Sequence, residues 1–166
     1  MPSIKPSSHC PPEKEPPMDD VRIDKNTRHL ELLLADGSHI EGEVFLSLYG
    51  ARHSGPQKVI DLLQETPLFL PIKTSTGTIL VNRQQIMIVR VSADTELDEL
   101  MTLGHRRHLR IRTLDRQEIE ADIYVDMPTG FGRVMDYLNQ PMKYYTFFVP
   151  DYVLYIHPQF ILSVQD

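Results

Sequence analysis

The sequence LELLLADGSHIEGEVFL runs from Leu30 to Leu46 and has the pattern of a β-hairpin. On each side of Asp36-Gly37, every second residue is apolar, which is the period of a strand that buries one face. The Asp-Gly pair favours a tight turn, because glycine adopts a positive φ without steric cost. The stretch therefore predicts an antiparallel hairpin over Thr27–Leu46.

The same pattern returns at Leu109–Val125, LRIRTLDRQEIEADIYV, and the similarity continues beyond both hairpins. The register changes only in the loop after the first hairpin. The corresponding pairs that follow are Val59 and Val134, Asp61 and Asp136, Leu63 and Leu138, Phe69 and Tyr144, Leu70 and Tyr145, Ile72 and Phe147, Ile79 and Leu154, Val81 and Ile156, Gln84 and Gln159, Ile86 and Ile161, and Val89 and Val164. We interpret the recurrence as an internal duplication of a unit of about 60 residues, near the lower size limit for a unit with its own core.

Each unit is predicted to have the order β-β-α-β-β-β. Apolar residues have helical spacing at Gln57–Glu65 in the first unit and at Phe131–Asn139 in the second. Strand patterns account for most of the remaining residues in both units. The sequence therefore predicts a mainly β protein of two tandem small β-barrels, each with one inserted short helix.

The chain divides into four predicted segments. Residues 1–20 are rich in proline and polar residues, and we expect a disordered tail there. Residues 21–91 form the first unit and residues 105–166 the second. The acidic linker at 92–104 intersperses Asp and Glu with apolar residues, and we expect it to be a short helix.

Composition restricts the function and the compartment. With a net charge of −6 over 166 residues, the chain lacks the positive surface that generic nucleic-acid and anionic-membrane binders need. Cys10 is the only cysteine, which excludes a disulfide framework and suits a reducing compartment. The sequence has no signal-peptide core and no membrane-length apolar stretch. We expect a cytoplasmic protein without a membrane partner.

Catalytic and metal sites have no support in the residue spacing. His105 and His108 are three residues apart, but no carboxylate or cysteine set completes a metal site. A nucleophile and a base cannot be paired from sequence, because their geometry is set in space. We therefore predict no enzymatic activity, no cofactor and no metal.

Three segments resemble the Sm-like fold, whose family includes the eukaryotic Sm and LSm proteins and bacterial Hfq. They are LADGSHIEGEV at 34–44, ILVNRQQI at 79–86 and LYIHPQFI at 154–161. The resemblance implies two tandem Sm-like, or SH3-like, barrels in which Gly42 allows a sharp strand bend. The pattern is also similar to bacterial proteins of unknown function that add a helix to an Sm-like core.

The resemblance also implies a way to bind RNA, but the sequence departs from the pattern. Sm proteins use an Asp-x-hydrophobic-Asn segment after the second strand, and neither unit has it. The turn between the last two strands contains Arg83 in one unit and His157 in the other. These two residues and the basic run at 105–112, with Arg106, Arg107 and Arg110, are the candidates for an RNA site. The acidic charge disfavours this hypothesis.

Arg106 and Arg110 have an Arg-x-x-x-Arg spacing that resembles the loop by which PilZ domains clamp cyclic di-GMP. Paired guanidinium groups suit phosphate and guanine edges. PilZ domains also need an Asp/Asn-x-Ser-x-x-Gly segment, and residues 126–130 lack its serine and its glycine spacing. The alternative interpretation, which we favour, is a solvated basic entry to a strand that balances the acidic linker beside it.

The leading hypothesis is a non-enzymatic interaction or regulatory module. Sm-like units pair edge to edge, so we expect a protein partner or self-association through the edge strands and the inserted helices. An RNA-binding protein and a cyclic dinucleotide receptor are the two alternatives.

Overall fold

The computed structural model of the chain describes residues 26–48, 55–128, 130 and 132–166, so the predicted tail at 1–20 lies outside the described residues. The elements of the first half are β1 (Asn26–Leu34), β2 (His39–Leu46), α1 (Val59–Gln64), β3 (Phe69–Thr74), β4 (Gly77–Asn82) and β5 (Ile86–Ser92). The linker contains α2 (Ala93–Glu96). The elements of the second half are β6 (His105–Thr113), β7 (Glu118–Val125), α3 (Val134–Leu138), β8 (Tyr145–Val149), β9 (Tyr152–Ile156) and β10 (Ile161–Gln165).

The described strands form one antiparallel sheet in the order β10-β6-β7-β8-β9-β5-β1-β2-β3-β4. The protein is therefore mainly β, as predicted. The first half supplies β5-β1-β2-β3-β4 and the second half supplies β10-β6-β7-β8-β9, so the two halves have the same strand order. They join where β5 pairs with β9.

The prediction of two tandem small barrels is not confirmed, because the sheet formed by the described residues is not closed and has two free edges. In the part of the chain that the structure describes, β4 pairs only with β3, and β10 pairs only with β6. A short 3-10 helix at Arg83–Gln85 turns the chain between β4 and β5. After this turn β5 pairs with β1 on one side and β9 on the other, which leaves β4 at the edge.

Both hairpin turns contain a residue with a positive φ, but the residue type differs between them. In the first, Gly37 has a φ of 84°, and the carboxylate of Asp36 accepts a 2.9 Å hydrogen bond from the backbone N–H of Ser38. In the second, Arg116 has a φ of 70°. A left-handed conformation is unfavourable for a residue with a Cβ atom, so the second turn is strained.

Gly42 is required by a close approach between the strands β2 and β3. A Cβ atom at this position would lie 2.5 Å from the carbonyl oxygen of Lys73 and 2.6 Å from Ile72 Cγ2 on β3. The second half has Ala121 at the corresponding position, buried but accommodated. β2 and β3 therefore approach each other in a way that only glycine permits.

The central strands β5 and β9 are buried on both faces. Their side chains alternate between two hydrophobic cores, the first containing Val89, Val91, Val153 and Tyr155, and the second containing Ile88, Leu154 and Ile156. Successive side chains of a strand point to opposite faces, so the sheet passes between the two cores at this junction. This burial explains why both strands are nearly continuous apolar runs rather than alternating ones.

The acidic linker is helical in part. It contains α2 followed by a 3-10 helix at Glu99–Thr102. The basic run that follows was predicted to lead into a strand, and it is itself part of β6. Among the described residues, no helix has both the length and the apolar composition needed to cross a membrane.

Candidate functional site

Arg83 lies at the junction of the two halves with its side chain almost fully buried, and only 7% of the residue is exposed. Its Nη1 donates a hydrogen bond to the carbonyl of Leu62, and its Nη2 lies 3.7 Å from Glu65 Oε2. Its Nε is buried and has no hydrogen-bond partner among the described residues. Burial lowers the pKa of the guanidinium, and the charge of Glu65 opposes this shift.

Tyr144 and His157 of the second half pack against this arginine. The hydroxyl of Tyr144 donates a 2.6 Å hydrogen bond to the carbonyl of Arg83. The ring of His157 meets the ring of Tyr144 edge to face, with 5.2 Å between their centroids. The structure therefore brings Arg83 and His157, which were predicted as candidates from separate units, into one place.

His157 has a defined protonation state in this position. Its Nδ1 accepts a 3.1 Å hydrogen bond from the backbone N–H of Gln159, as Asn82 accepts one from Gln84 in the first half. Burial lowers the pKa of His157, so its ring is neutral at pH 7. Because Nδ1 is the acceptor, the proton is on Nε2.

A cavity of about 170 Å³ lies between the two halves beside Arg83 and His157. Glu65 and Lys143 also line it, and Lys143 Nζ donates a 2.7 Å hydrogen bond to the carbonyl of Glu65. The cavity is lined by two cationic side chains, one neutral imidazole and one carboxylate, together with uncharged residues that include Leu63 and Leu68. This arrangement is rich in hydrogen-bond donors.

Glu96 forms a second buried polar centre between the halves. Its carboxylate accepts hydrogen bonds from the Tyr155 hydroxyl at 2.6 Å and from the backbone N–H of Val59 at 2.9 Å. Arg28 Nη1 pairs with its Oε2 at 2.7 Å. Burial raises the pKa of Glu96, and the hydrogen bond from Tyr155 opposes this shift. The linker is therefore connected to β1, α1 and β9 by one side chain.

Arg106 and Arg110 lie on the same face of β6 and are paired with carboxylates of β7. Arg106 Nη2 lies 2.6 Å from Asp122 Oδ2, and Arg110 Nε donates a 2.6 Å hydrogen bond to Glu120 Oε1. These partners raise the pKa of both arginines. The predicted clamp is therefore within a strand, and each guanidinium already has an anionic partner.

His108 and Arg107 complete the description of the basic run. His108 bridges Asp122 and Glu120 at 2.9 and 3.0 Å, and the hydrogen bond with Asp122 raises its pKa. Arg107 lies on the opposite face of β6, where it lines a cavity beside α3. The structure does not bring Arg107 together with Arg106 and Arg110.

The two inserted helices differ in their packing. α1 contributes Val59, Leu62 and Leu63 to the first core. α3 has no buried residue, and Met135 on it is exposed. Both are shorter than predicted, and part of the second prediction, at Phe131, lies outside the described residues. Val134, Tyr137 and Leu138 of α3 are half-buried against the second core, so α3 is less deeply packed than α1.

The free edge β4 exposes apolar residues whose counterparts in the second half are buried. Leu80 is 67% exposed, whereas Tyr155 at the corresponding position is 0% exposed. Phe69 on the adjoining strand β3 is 50% exposed, whereas its counterpart Tyr144 is 1% exposed. The difference arises because residues of the first core, with Glu96 and Arg83, cover Tyr155 and Tyr144.

The other free edge, β10, also exposes an apolar residue whose counterpart is buried. Leu162 is 56% exposed, whereas its counterpart Met87 is 2% exposed. The carbonyl of Met87 accepts a 2.9 Å hydrogen bond from the backbone N–H of His157 across the internal junction. Leu162 lacks such a neighbouring strand among the described residues.

Comparison of the chain with protein-family models, curated proteins and solved structures gives no match. In the described part of the chain, no group of three or more His, Cys, Asp or Glu residues could hold a metal ion. Any function proposed for the site therefore depends on its geometry alone.

Sequence reasoning missed Tyr144, Glu65 and Lys143, which contact Arg83 or line the cavity beside it. None of the three lies in a recognisable motif. One signal was present, since Tyr144 has a hydroxyl where the corresponding Phe69 has none. A buried hydroxyl usually has a partner, which here is the carbonyl of Arg83.

Proposed function

We propose that the protein is a non-enzymatic cytoplasmic assembly module of two Sm-like units that arose by duplication. In this proposal copies join head to tail, and β4 of one copy pairs with β10 of the next as β9 pairs with β5 within the chain. The contrast in burial between Leu80 and Tyr155 carries the proposal. We take a second copy of the chain as the partner, because its β10 corresponds to β5, the strand that pairs with β9 within the chain.

Both free edges lack charged residues and prolines, which normally prevent strand pairing. β10 has an irregularity against β6 between Ile161 and Ser163, but β5 has one against β1 at the corresponding place and still pairs with β9. β4 has the sequence GTILVN and β10 has the sequence ILSVQ, without a charged residue or a proline in either. Proteins commonly protect exposed edge strands with lysine, proline or a bulge, because unpaired backbone groups attract other strands. The absence of charges from both strands favours pairing over protection.

The internal junction gives the register of the proposed contact. Val89 lies opposite Tyr155 where β5 pairs with β9. Val164 corresponds to Val89 and Leu80 corresponds to Tyr155, so Val164 of one copy should lie opposite Leu80 of the next. Such a head-to-tail contact uses different surfaces on the two copies, and it forms a ring if the rotation closes.

RNA or cyclic dinucleotide binding through the basic run is less consistent with the contacts. Arg106 and Arg110 are each paired with a carboxylate, and His108 contacts both carboxylates. A phosphate ligand would have to displace these anions on a protein whose net charge is −6. The edge contact needs no such rearrangement.

Disulfide trapping between two single-cysteine variants tests the proposal directly. In a Cys10→Ser background, Leu80→Cys and Val164→Cys proteins carrying different tags are mixed under mild oxidation. The mixture should form a disulfide-linked heterodimer faster than either variant alone forms a homodimer. Leu100→Cys, which is exposed in the linker, replaces Leu80→Cys in the matched control and should not cross-link.

Two outcomes would contradict the proposal. One is the absence of a heterodimer in the mixture. The other is dominant cross-linking of Leu80→Cys to itself, which would indicate that two β4 edges pair with each other. Absorbance at 260 and 280 nm of the purified protein tests the RNA alternative, which predicts bound nucleic acid.

A further inference from the structure

The buried guanidinium of Arg83 has an unmet hydrogen-bonding requirement. Nη1 is satisfied by the carbonyl of Leu62, but Nε has no partner among the described residues. Nη2 and Glu65 Oε2 are 3.7 Å apart, which is longer than a hydrogen bond. An unpaired buried donor is unfavourable, and such groups in native proteins commonly mark an ion, water or ligand site.

The surroundings supply further donors. His157 lines the same cavity with a protonated Nε2, and Lys143 contributes an ammonium group that contacts a backbone carbonyl. Glu65 is the one carboxylate that lines the cavity. The residues around this space thus suit a ligand group that accepts hydrogen bonds and carries negative charge.

The size of the cavity limits the ligand. Its volume is about 170 Å³, similar to the roughly 150 Å³ of an engineered protein cavity that holds benzene. A ligand with one small ring or a short chain would fit.

We propose that this cavity binds a small molecule through a carboxylate or phosphate group, whose oxygens accept hydrogen bonds from the Arg83 guanidinium and from His157. The site lies between the two halves of a single chain, and it does not depend on contact between copies. Residues of both halves form the site, so ligand binding would also stabilise the contact between the halves.

Titration of the full chain with inorganic phosphate and with acetate tests the proposal by NMR. Either anion should shift the Arg83 Nε–H resonance and the His157 ring resonances, whereas chloride at equal ionic strength should not. A response to phosphate alone assigns a phosphate-bearing ligand, and a response to acetate alone assigns a carboxylate.

Charge variants make the test specific. Glu65→Gln removes the competing carboxylate and should tighten anion binding several-fold. Arg83→Lys should weaken it about 10- to 100-fold, because charge-assisted hydrogen bonds are lost. Glu43→Gln is the matched control, since this exposed carboxylate pairs weakly with Lys73 at 3.9 Å. It makes the same charge change outside the cavity and should leave binding unchanged.

The proposal is overturned if neither anion shifts these resonances. It is also overturned if Glu43→Gln strengthens binding as much as Glu65→Gln, since that result indicates an adventitious ion only. Should Arg83→Lys fail to fold, the comparison of Glu65→Gln with Glu43→Gln still decides between these outcomes.

Discussion

The hydroxyl of Tyr155 donates a 2.6 Å hydrogen bond to the buried carboxylate of Glu96, and this contact joins the second half of the chain to the linker. Tyr155 is a strand residue at the internal junction, and Glu96 ends the helix α2. Both are almost completely buried. The junction therefore combines apolar packing with a buried polar contact that requires a specific geometry.

Replacement of Tyr155 by phenylalanine should destabilise the protein. The ring keeps its packing, but Glu96 loses a hydrogen bond to a charged group, which is worth about 1.5–3 kcal/mol. Urea unfolding measures the change. Tyr124→Phe is the matched control, because no hydrogen bond of the Tyr124 hydroxyl occurs among the described residues, and its effect should be close to zero. Equal effects of the two substitutions would contradict the role of this contact.

Glu96 should also make stability depend on pH in a definite direction. Burial raises its pKa above the ordinary value of 4.5, so the folded state holds the proton more tightly than the unfolded state. The contribution of Glu96 to the free energy of unfolding is fully present below pH 4.5. It is lost as the pH rises through the pKa that Glu96 has in the folded state. Glu96→Gln lacks this titration. The difference in unfolding free energy between the wild type and Glu96→Gln should therefore change over that window, and parallel curves would refute the assignment.

Substitution of Gly42 by alanine should weaken the contact between β2 and β3. The new Cβ would lie 2.5 Å from a backbone oxygen of Lys73, so β3 must shift. Overpacking of this kind costs about 1–3 kcal/mol. The reverse change in the second half, Ala121→Gly, removes a methyl group and meets no clash. Thermal unfolding that is unchanged in Gly42→Ala would show that the close approach is not needed.

Substitution of Arg116 by glycine should stabilise the second hairpin. Arg116 has a φ of 70°, which glycine adopts freely. The substitution relieves this strain, but glycine also gains conformational entropy in the unfolded chain. The net increase in the free energy of unfolding should be about 0.5–1 kcal/mol. Arg116→Ala retains the strain and should give no gain. A gain of the same size in both variants would point to the loss of charge instead.

The hairpins and the order of elements in each half could be predicted because their signals are local. An alternating apolar pattern and an Asp-Gly turn act over a few residues, and the structure has strands and turns where they occur. The pattern defines which face of a strand is buried, but it does not define which strand lies beside it. For this reason the pairing of β5 with β9 and the open sheet could not be predicted.

The sites depended on contacts that are distant in the sequence. Glu96 belonged to a linker that had the composition of a solvated helix, yet it pairs with Arg28, which lies 68 residues away. The carboxylates that pair with Arg106 and Arg110 lie on the neighbouring strand, and sequence alone gave no register for them. Arg83 and His157 were found by their turns, but the cavity between them follows from the junction.

The mass of the protein in solution tests the proposed assembly most directly. Size-exclusion chromatography with multi-angle light scattering compares the wild type, Leu80→Lys and the exposed-site control Leu100→Lys over a range of concentrations. Head-to-tail pairing predicts a mass above that of the monomer for the wild type and for Leu100→Lys. It predicts a monomer for Leu80→Lys, because the lysine charge would lie in the β4–β10 contact. A wild-type monomer at every concentration, or an oligomer that Leu80→Lys leaves intact, would contradict the proposal.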